Sequence, residues 1–98
     1  MGNHEVAKIL RSVIADCLAR SGREIPQIGS DQKIITGVDG FDSLCGLEAT
    51  IDLETRLGVT LEDNVFIKDV LGRPRARTFA EVVKAILAKV NGSGNVGQ

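Results

Sequence analysis

The apolar residues of this chain are almost all aliphatic, and over three stretches they recur at the spacing of a helix. Only three residues are Phe and none is Trp or Tyr, so Leu, Ile, Val and Ala must build the interior. A core without large rings is assembled from many small interdigitating side chains, which suits helix packed on helix. The length of 98 residues allows one domain with one modest core.

Over residues 4–20, Val6, Ile9, Leu10, Val13, Ile14 and Cys17 share one broad face, while Lys8, Arg11, Ala15 and Ala19 lie on the other. Ser21-Gly22 reads as the stop. A second helix is expected from Ser43 to Leu57, ended by Gly58. It carries two stripes: Ala49, Leu53 and Leu57, joined by Gly46 and Thr50, and nearly opposite them Leu44, Leu47 and Ile51. One stripe must face the core; the other is covered by a neighbouring element or left for a partner. A shorter third helix is expected over 61–71, with Val65, Phe66, Val70 and Leu71 packing inward and Gly72 ending it. Thr78 with Glu81 three residues on forms a capping box that opens the last helix, whose buried stripe is Phe79, Val82, Val83, Ile86, Leu87 and Val90. With no strand pattern evident, the expected fold is an all-α four-helix bundle over residues 1–90, followed by a disordered Gly/Asn/Ser tail over 91–98.

The connection over 21–42 is long for so small a domain, and such a loop is either functional or disordered. Ile25, Ile28, Ile34 and Ile35 argue for order, because they can pin it to the core. Gly22, Pro26, Gly29, Gly37 and Gly40 supply its bends, and a short helical turn fits within it.

Charge narrows the function classes. The formal net charge is −1, but residues 21–71 hold ten acids and four bases, whereas 72–91 hold Arg73, Arg75, Arg77, Lys84 and Lys89 against Glu81 alone. The basic stretch is short and lacks stacking aromatics, so nucleic acid is not an expected partner. Arg73–Arg77 reads as a solvated loop kept out of helix by Pro74, or as a contact for an acidic group. No apolar run reaches membrane-spanning length and no signal peptide is evident, so a cytoplasmic protein without a membrane partner is expected. Cys17 and Cys45 read as free thiols, the first in the core and the second near the surface. They lack metal-ligand spacing, and His4 near the end of the chain is neither ligand nor base. An EF-hand reading of Asp39-Gly40-Phe41-Asp42 fails because Gly46 stands where the bidentate Glu is needed.

Ser43 is the residue that points to chemistry. It lies at the start of the second helix, where unpaired N–H groups and positive partial charge favour an anion. No histidine or second basic group nearby makes it a nucleophile in its own right. It reads as a serine that receives a phosphate-linked group from another enzyme, and the chain as a carrier rather than an enzyme. Ser43 also reads as an ordinary N-cap, although Asp42 is better placed for that and leaves the Ser43 side chain free.

The segment Gly40-Phe41-Asp42-Ser43-Leu44, followed by Leu47-Glu48, Leu53-Glu54 and Leu57-Gly58-Val59, resembles the acyl carrier protein family. The resemblance extends over most of the chain in helix order and spacing, and its specificity rests on Asp42-Ser43-Leu44 in that context. It implies that Ser43 is the attachment point of 4′-phosphopantetheine, transferred from coenzyme A by a phosphopantetheinyl transferase. Asp42 would help position the metal-bound phosphate in that complex. It also implies that Leu44, Leu47, Glu48, Ile51 and Glu54 face partner enzymes (acyl-transferring, condensing or ligase enzymes with basic docking patches) and that the carrier is a monomer. For Glu48 and Glu54 the alternative is a solvated helix face; for Ile51 it is burial under the third helix. The chain departs from the family at Cys45 and Gly46 after the motif, at Thr55 and Arg56 where acids are common, in its near-neutral charge and in the lengthened 73–77 link. These departures point to a specialised fatty-acid or polyketide-like pathway. Two other functions stay open: an aminoacyl or peptidyl carrier, and a helical interaction module without prosthetic group.

Overall fold

The computed structural model describes residues 2–20, 22 and 27–93. It contains three helices, α1 (Asn3–Arg20), α2 (Ser43–Leu57) and α3 (Phe79–Ser93), and one antiparallel hairpin, β1 (Ile67–Val70) with β2 (Arg73–Ala76). Helix α1 packs against both α2 and α3. It does so through Val6, Leu10, Val13, Ile14, Cys17 and Leu18, one residue in every three or four, all buried. Ile9, expected on the same face, is half-buried at its edge. The interior is aliphatic, with Phe41, Phe66 and Phe79 as its only rings.

Both ends of α2 fall where the sequence places them. Asp42 is the N-cap, and Gly58 closes the helix in the left-handed conformation (φ 67°, ψ 31°), its N–H donating to the Glu54 carbonyl at 2.8 Å. The capping box of α3 is also formed: the Glu81 N–H donates to Thr78 Oγ1 at 3.2 Å, and the Thr78 N–H to Glu81 Oε1 at 2.8 Å. Helix α3 continues to Ser93, three residues into the segment expected to be a tail; residues 94–98 lie outside the described part.

The expected third helix over 61–71 is absent, and with it the all-α four-helix bundle: the described residues form three helices and a two-stranded sheet. The cause lies in where the backbone N–H groups of this segment go. Leu61 N–H donates to Glu54 Oε2 (2.7 Å), Val65 N–H to Thr50 Oγ1 (3.1 Å) and Phe66 N–H to Asn64 Oδ1 (3.1 Å). Side chains therefore satisfy donors that a helix would have turned on its own carbonyls. Val65 and Phe66 still reach the core as expected, but Val70 is only half-buried and Leu71 is 97% exposed. Arg73–Arg77, expected as a solvated loop, is largely strand β2. Pro74 sits in it opposite Asp69, in a two-stranded sheet where both strands are edges and a missing donor is tolerated.

The connection before α2 is ordered over its described part. Ile28, Ile34, Ile35 and Val38 are buried, and Val38 N–H donates to Ile34 O at 2.9 Å in a single helical turn. Ile25 and Pro26 lie outside the described residues. Gly37 is required by close approach, since a Cβ there would sit 2.0 Å from the Lys33 carbonyl oxygen. The far side of this connection is stitched to the start of α3: Phe79 N–H donates to Gln32 O (2.9 Å), Ala80 N–H to Ser30 O (3.0 Å) and Ile34 N–H to Arg77 O (3.3 Å). Among the described residues no helix is long and apolar enough to cross a membrane.

The hairpin turn holds strained backbone. Leu71 and Gly72 both have positive φ (54° and 77°), the pattern of a two-residue turn that favours Asn-Gly. Leucine in this conformation is strained, and its exposed side chain gains nothing in return. Leu71→Asn is therefore expected to raise stability by about 1 kcal/mol, read as a higher urea midpoint with an unchanged slope.

Candidate functional site

Ser43 begins α2 at the surface, between an exposed Asp42 and an exposed Leu44. Its side chain has no hydrogen-bond partner among the described residues; its carbonyl accepts from Asn64 Nδ2 at 3.1 Å. Beside it lies an open cleft of about 430 Å³ lined by residues 35–36 and 38–43, including Ile35, Thr36, Val38 and Phe41. Thr36 holds a positive φ of 75° on the cleft wall, a conformation rare outside glycine.

Asp42 is extended (φ −103°, ψ −173°), and its Oδ1 accepts the Cys45 N–H at 2.9 Å. This is the N-cap geometry expected of it, and it leaves Ser43 out of the cap. The Cys45 N–H holds the Asp42 carboxyl below its ordinary value of 3.8, with smaller help from the Leu44 N–H. The first turn of α2 thus offers an exposed hydroxyl beside a carboxylate that stays charged near neutrality.

What fixes this turn came less clearly from the sequence. Phe41, directly before the cap, is buried and packs on Phe66 with ring centroids 5.0 Å apart. Asn64 reaches over the first turn from the other side, and it can do so because residue 46 is glycine: a Cβ there would lie 2.7 Å from Asn64 Oδ1. One turn on, the buried Thr50 hydroxyl donates to Gly46 O (2.7 Å) and accepts the Val65 N–H (3.1 Å). Glycine inside a helix carries a cost and usually has a packing reason, so Gly46 was the available signal for this clasp.

The second stripe of α2 is uncovered. Leu44 (63%), Leu47 (41%) and Ile51 (62%) are exposed in a row leading away from Ser43, and the helix that was to shield Ile51 is not there. Glu48 is exposed beside them. Glu54 is not a loose acid on this face, since its Oε2 accepts the Leu61 N–H and ties the following segment to α2. Arg56 joins two helices through Asp16 (2.6 Å) and Asp52 (3.0 Å). Arg77 binds Glu62 (3.2 Å) and the Val65 carbonyl (3.0 Å), so it belongs to the fold, whereas Arg73 and Arg75 are exposed on the hairpin.

With this geometry in view, the chain was compared with protein-family models, curated proteins and solved structures, and no match was found. The function therefore has to be argued from the site itself.

Two measurements test the architecture around Ser43. Thr50→Val strands the buried Val65 N–H and should cost about 1–3 kcal/mol in urea unfolding. Thr55→Val, which removes an exposed hydroxyl bonded only to Ile51 O, should change stability by less than about 0.5 kcal/mol. The Asp42 carboxylate is more acidic folded than unfolded, so its charge stabilises the protein above the ordinary value of 3.8. That contribution is lost as pH falls through the lower folded-state pKa. Thermal melts of Asp42→Asn should accordingly lie below wild type at neutral pH and converge with it in strong acid.

Proposed function

We propose that this chain is a carrier protein whose Ser43 accepts 4′-phosphopantetheine from coenzyme A through a phosphopantetheinyl transferase. One observation carries the reading: an unpartnered serine hydroxyl, exposed at the leading turn of an amphipathic helix and facing an open cleft. The residues present fit the group. A phosphodiester on Ser43 would sit in the field of the α2 N-terminus, worth about 0.3–1 kcal/mol when exposed, and the cleft leaves room for an arm to leave the surface. In the transfer, Ser43 Oγ would attack the pantetheine-side phosphorus of the coenzyme A pyrophosphate and lose its proton to a base on the transferase, as the bridging P–O bond breaks and adenosine 3′,5′-bisphosphate leaves. Asp42 spends Oδ1 on the cap and presents an ionised carboxylate next to the incoming phosphate, a placement suited to sharing a divalent cation with it. When attached, the arm supplies a thiol that holds acyl groups as thioesters.

The uncovered strip gives partners something to read. Leu44, Leu47 and Ile51 offer apolar contact beginning next to the attachment serine, and Glu48 adds an acidic rim that a basic patch can meet quickly and leave easily. Glu54 contributes its field from a fixed position rather than as a mobile rim acid. With a hairpin where the family's short third helix was expected, the partner surface narrows to α2 and the 27–42 connection. That departure, together with the near-neutral charge, supports a specialised acyl carrier over one serving bulk synthesis. The aminoacyl or peptidyl carrier is disfavoured by Phe41-Asp42 before the serine, and the interaction module without prosthetic group is separated by the loading test.

The test is loading. Apo protein incubated with coenzyme A, Mg²⁺ and a broad-specificity transferase should gain the mass of one phosphopantetheine, and Ser43→Ala should gain none while keeping its circular dichroism spectrum. Protein that stays unmodified while a known carrier is loaded in parallel would assign the fold to the interaction module instead. Among loaded variants, Glu48→Lys should slow transfer to partner enzymes at low salt, with the difference shrinking as ionic strength rises.

A further inference from the structure

Cys17 and Cys45, 28 positions apart in the chain, meet where α1 packs against the first turn of α2. The Cys17 thiol donates to the Cys45 carbonyl at 3.6 Å, and the Cys45 thiol to the Gly40 carbonyl at 3.5 Å. The two sulfurs and a Glu48 carboxylate oxygen all lie within 4.8 Å of one another. A disulfide requires sulfurs about 2.05 Å apart on neighbouring Cβ atoms, so closure needs the two side chains to turn toward each other.

The two thiols are unequal in a way that orders their chemistry. Cys17 is 3% exposed, sealed in the α1–α2 seam, whereas Cys45 is half-buried and open on its solvent side. Burial above all, and then the neighbouring Cys45, push the Cys17 thiol up to about 11. A reagent in solution therefore meets Cys45 first, and Cys17 is placed to resolve whatever forms there. As a metal site the same trio is incomplete. It supplies three of the four ligands of a closed tetrahedral site, and the third is an exposed carboxylate.

We propose that Cys17 and Cys45 are a redox modification site that closes to an intramolecular disulfide by exchange with a small-molecule disulfide such as oxidised glutathione. In the first step the Cys45 sulfur attacks one glutathione sulfur. The glutathione S–S bond breaks, a Cys45–glutathione mixed disulfide forms, and the first reduced glutathione leaves with the Cys45 proton. In the second, Cys17 attacks the Cys45 sulfur, the Cys17–Cys45 bond forms, and the second reduced glutathione leaves with the Cys17 proton. Two protein thiols are oxidised by two electrons, and one glutathione disulfide is reduced to two thiols. The product fastens the turn that bears Ser43 to the central helix, and it does not depend on whether Ser43 carries a prosthetic group.

The experiment uses the full chain, reduced, desalted and incubated under native conditions with oxidised glutathione, then alkylated and weighed intact. The expected product is a monomer lighter by about 2 Da with no alkylatable thiol, giving a peptide pair linked between positions 17 and 45 on non-reducing digestion. Dithiothreitol should restore two alkylatable thiols. The oxidised monomer should melt higher, by on the order of 10 °C, because the link constrains the unfolded chain. In Cys45→Ser, Cys17 should stay unmodified because it is shielded. A stable mixed disulfide at Cys45 that never closes, a disulfide-linked dimer, or glutathione on Cys17 in Cys45→Ser would each overturn the proposal.

Discussion

The hydroxyl of Thr50 and the carboxamide of Asn64 hold the rest of this fold in register. Each satisfies backbone groups of a segment that has no regular structure of its own: Thr50 takes the Val65 N–H, and Asn64 takes the Phe66 N–H while donating to the Ser43 carbonyl. With that segment pinned to α2, Phe66 enters the core and meets Phe41. Phe41 in turn fixes the backbone that delivers Asp42 as the cap and Ser43 as an outward-facing residue. A buried threonine hydroxyl on a helix would ordinarily find its own i−4 carbonyl and stop there. Here it does so with Gly46 and also accepts, so a single oxygen links the helix interior to the neighbouring strand lead-in.

Periodicity made the three long helices legible, together with both ends of α2 and the start of α3, because Asp42, Gly58 and the Thr78–Glu81 box act through local chemistry that sequence exposes directly. The hairpin was hidden for the same reason in reverse. Val65, Phe66, Val70 and Leu71 fall at intervals a short helix tolerates, and Leu71-Gly72 lacks the Asn or Asp that announces a two-residue turn. What decides the structure there is tertiary, a set of side-chain acceptors on α2 that no pattern within residues 61–71 reveals. At the candidate site, the place of Ser43 at the helix start and the two stripes of α2 could be read from the sequence, but not that the Leu44–Leu47–Ile51 stripe stays uncovered. The support from Phe41, Gly46 and Asn64 could not, nor could the meeting of two cysteines remote in sequence. Glu54 illustrates the remaining difficulty, since an acid on a helix surface looks identical in sequence whether it awaits a partner or holds its own chain.

Residues at which the chain differs from the acyl carrier pattern that its sequence resembles have structural roles on this basis. Arg56, standing where an acid is common, bridges Asp16 of α1 and Asp52 of α2 and so fastens the two helices at the surface. Arg77 belongs to the Glu62–Val65 corner. Part of the uneven charge distribution is therefore engaged in ion pairs within the molecule, while Glu48 beside the apolar strip and Arg73 and Arg75 on the hairpin are exposed. Gly46 and Cys45, likewise unexpected after the serine, are the positions where Asn64 and Cys17 come in. The first turn of this helix is tied to its surroundings at Cys45 and Gly46, while Ser43 stays exposed.

The pairing of residues 30–34 with the start of α3 has a consequence for the order of assembly. Helices α1 and α2 and the clasp of Thr50 and Asn64 on the 64–66 segment involve contacts that can form from the first two thirds of the chain. The connection that walls the Ser43 cleft is different, because its far edge bonds to Arg77, Phe79 and Ala80 and closes only when the last helix docks. Closing so long a loop is entropically slow relative to local helix formation. The helix that bears the serine thus rests on contacts from the earlier part of the chain, whereas the loop that walls its cleft is held at its far edge by residues 77–80.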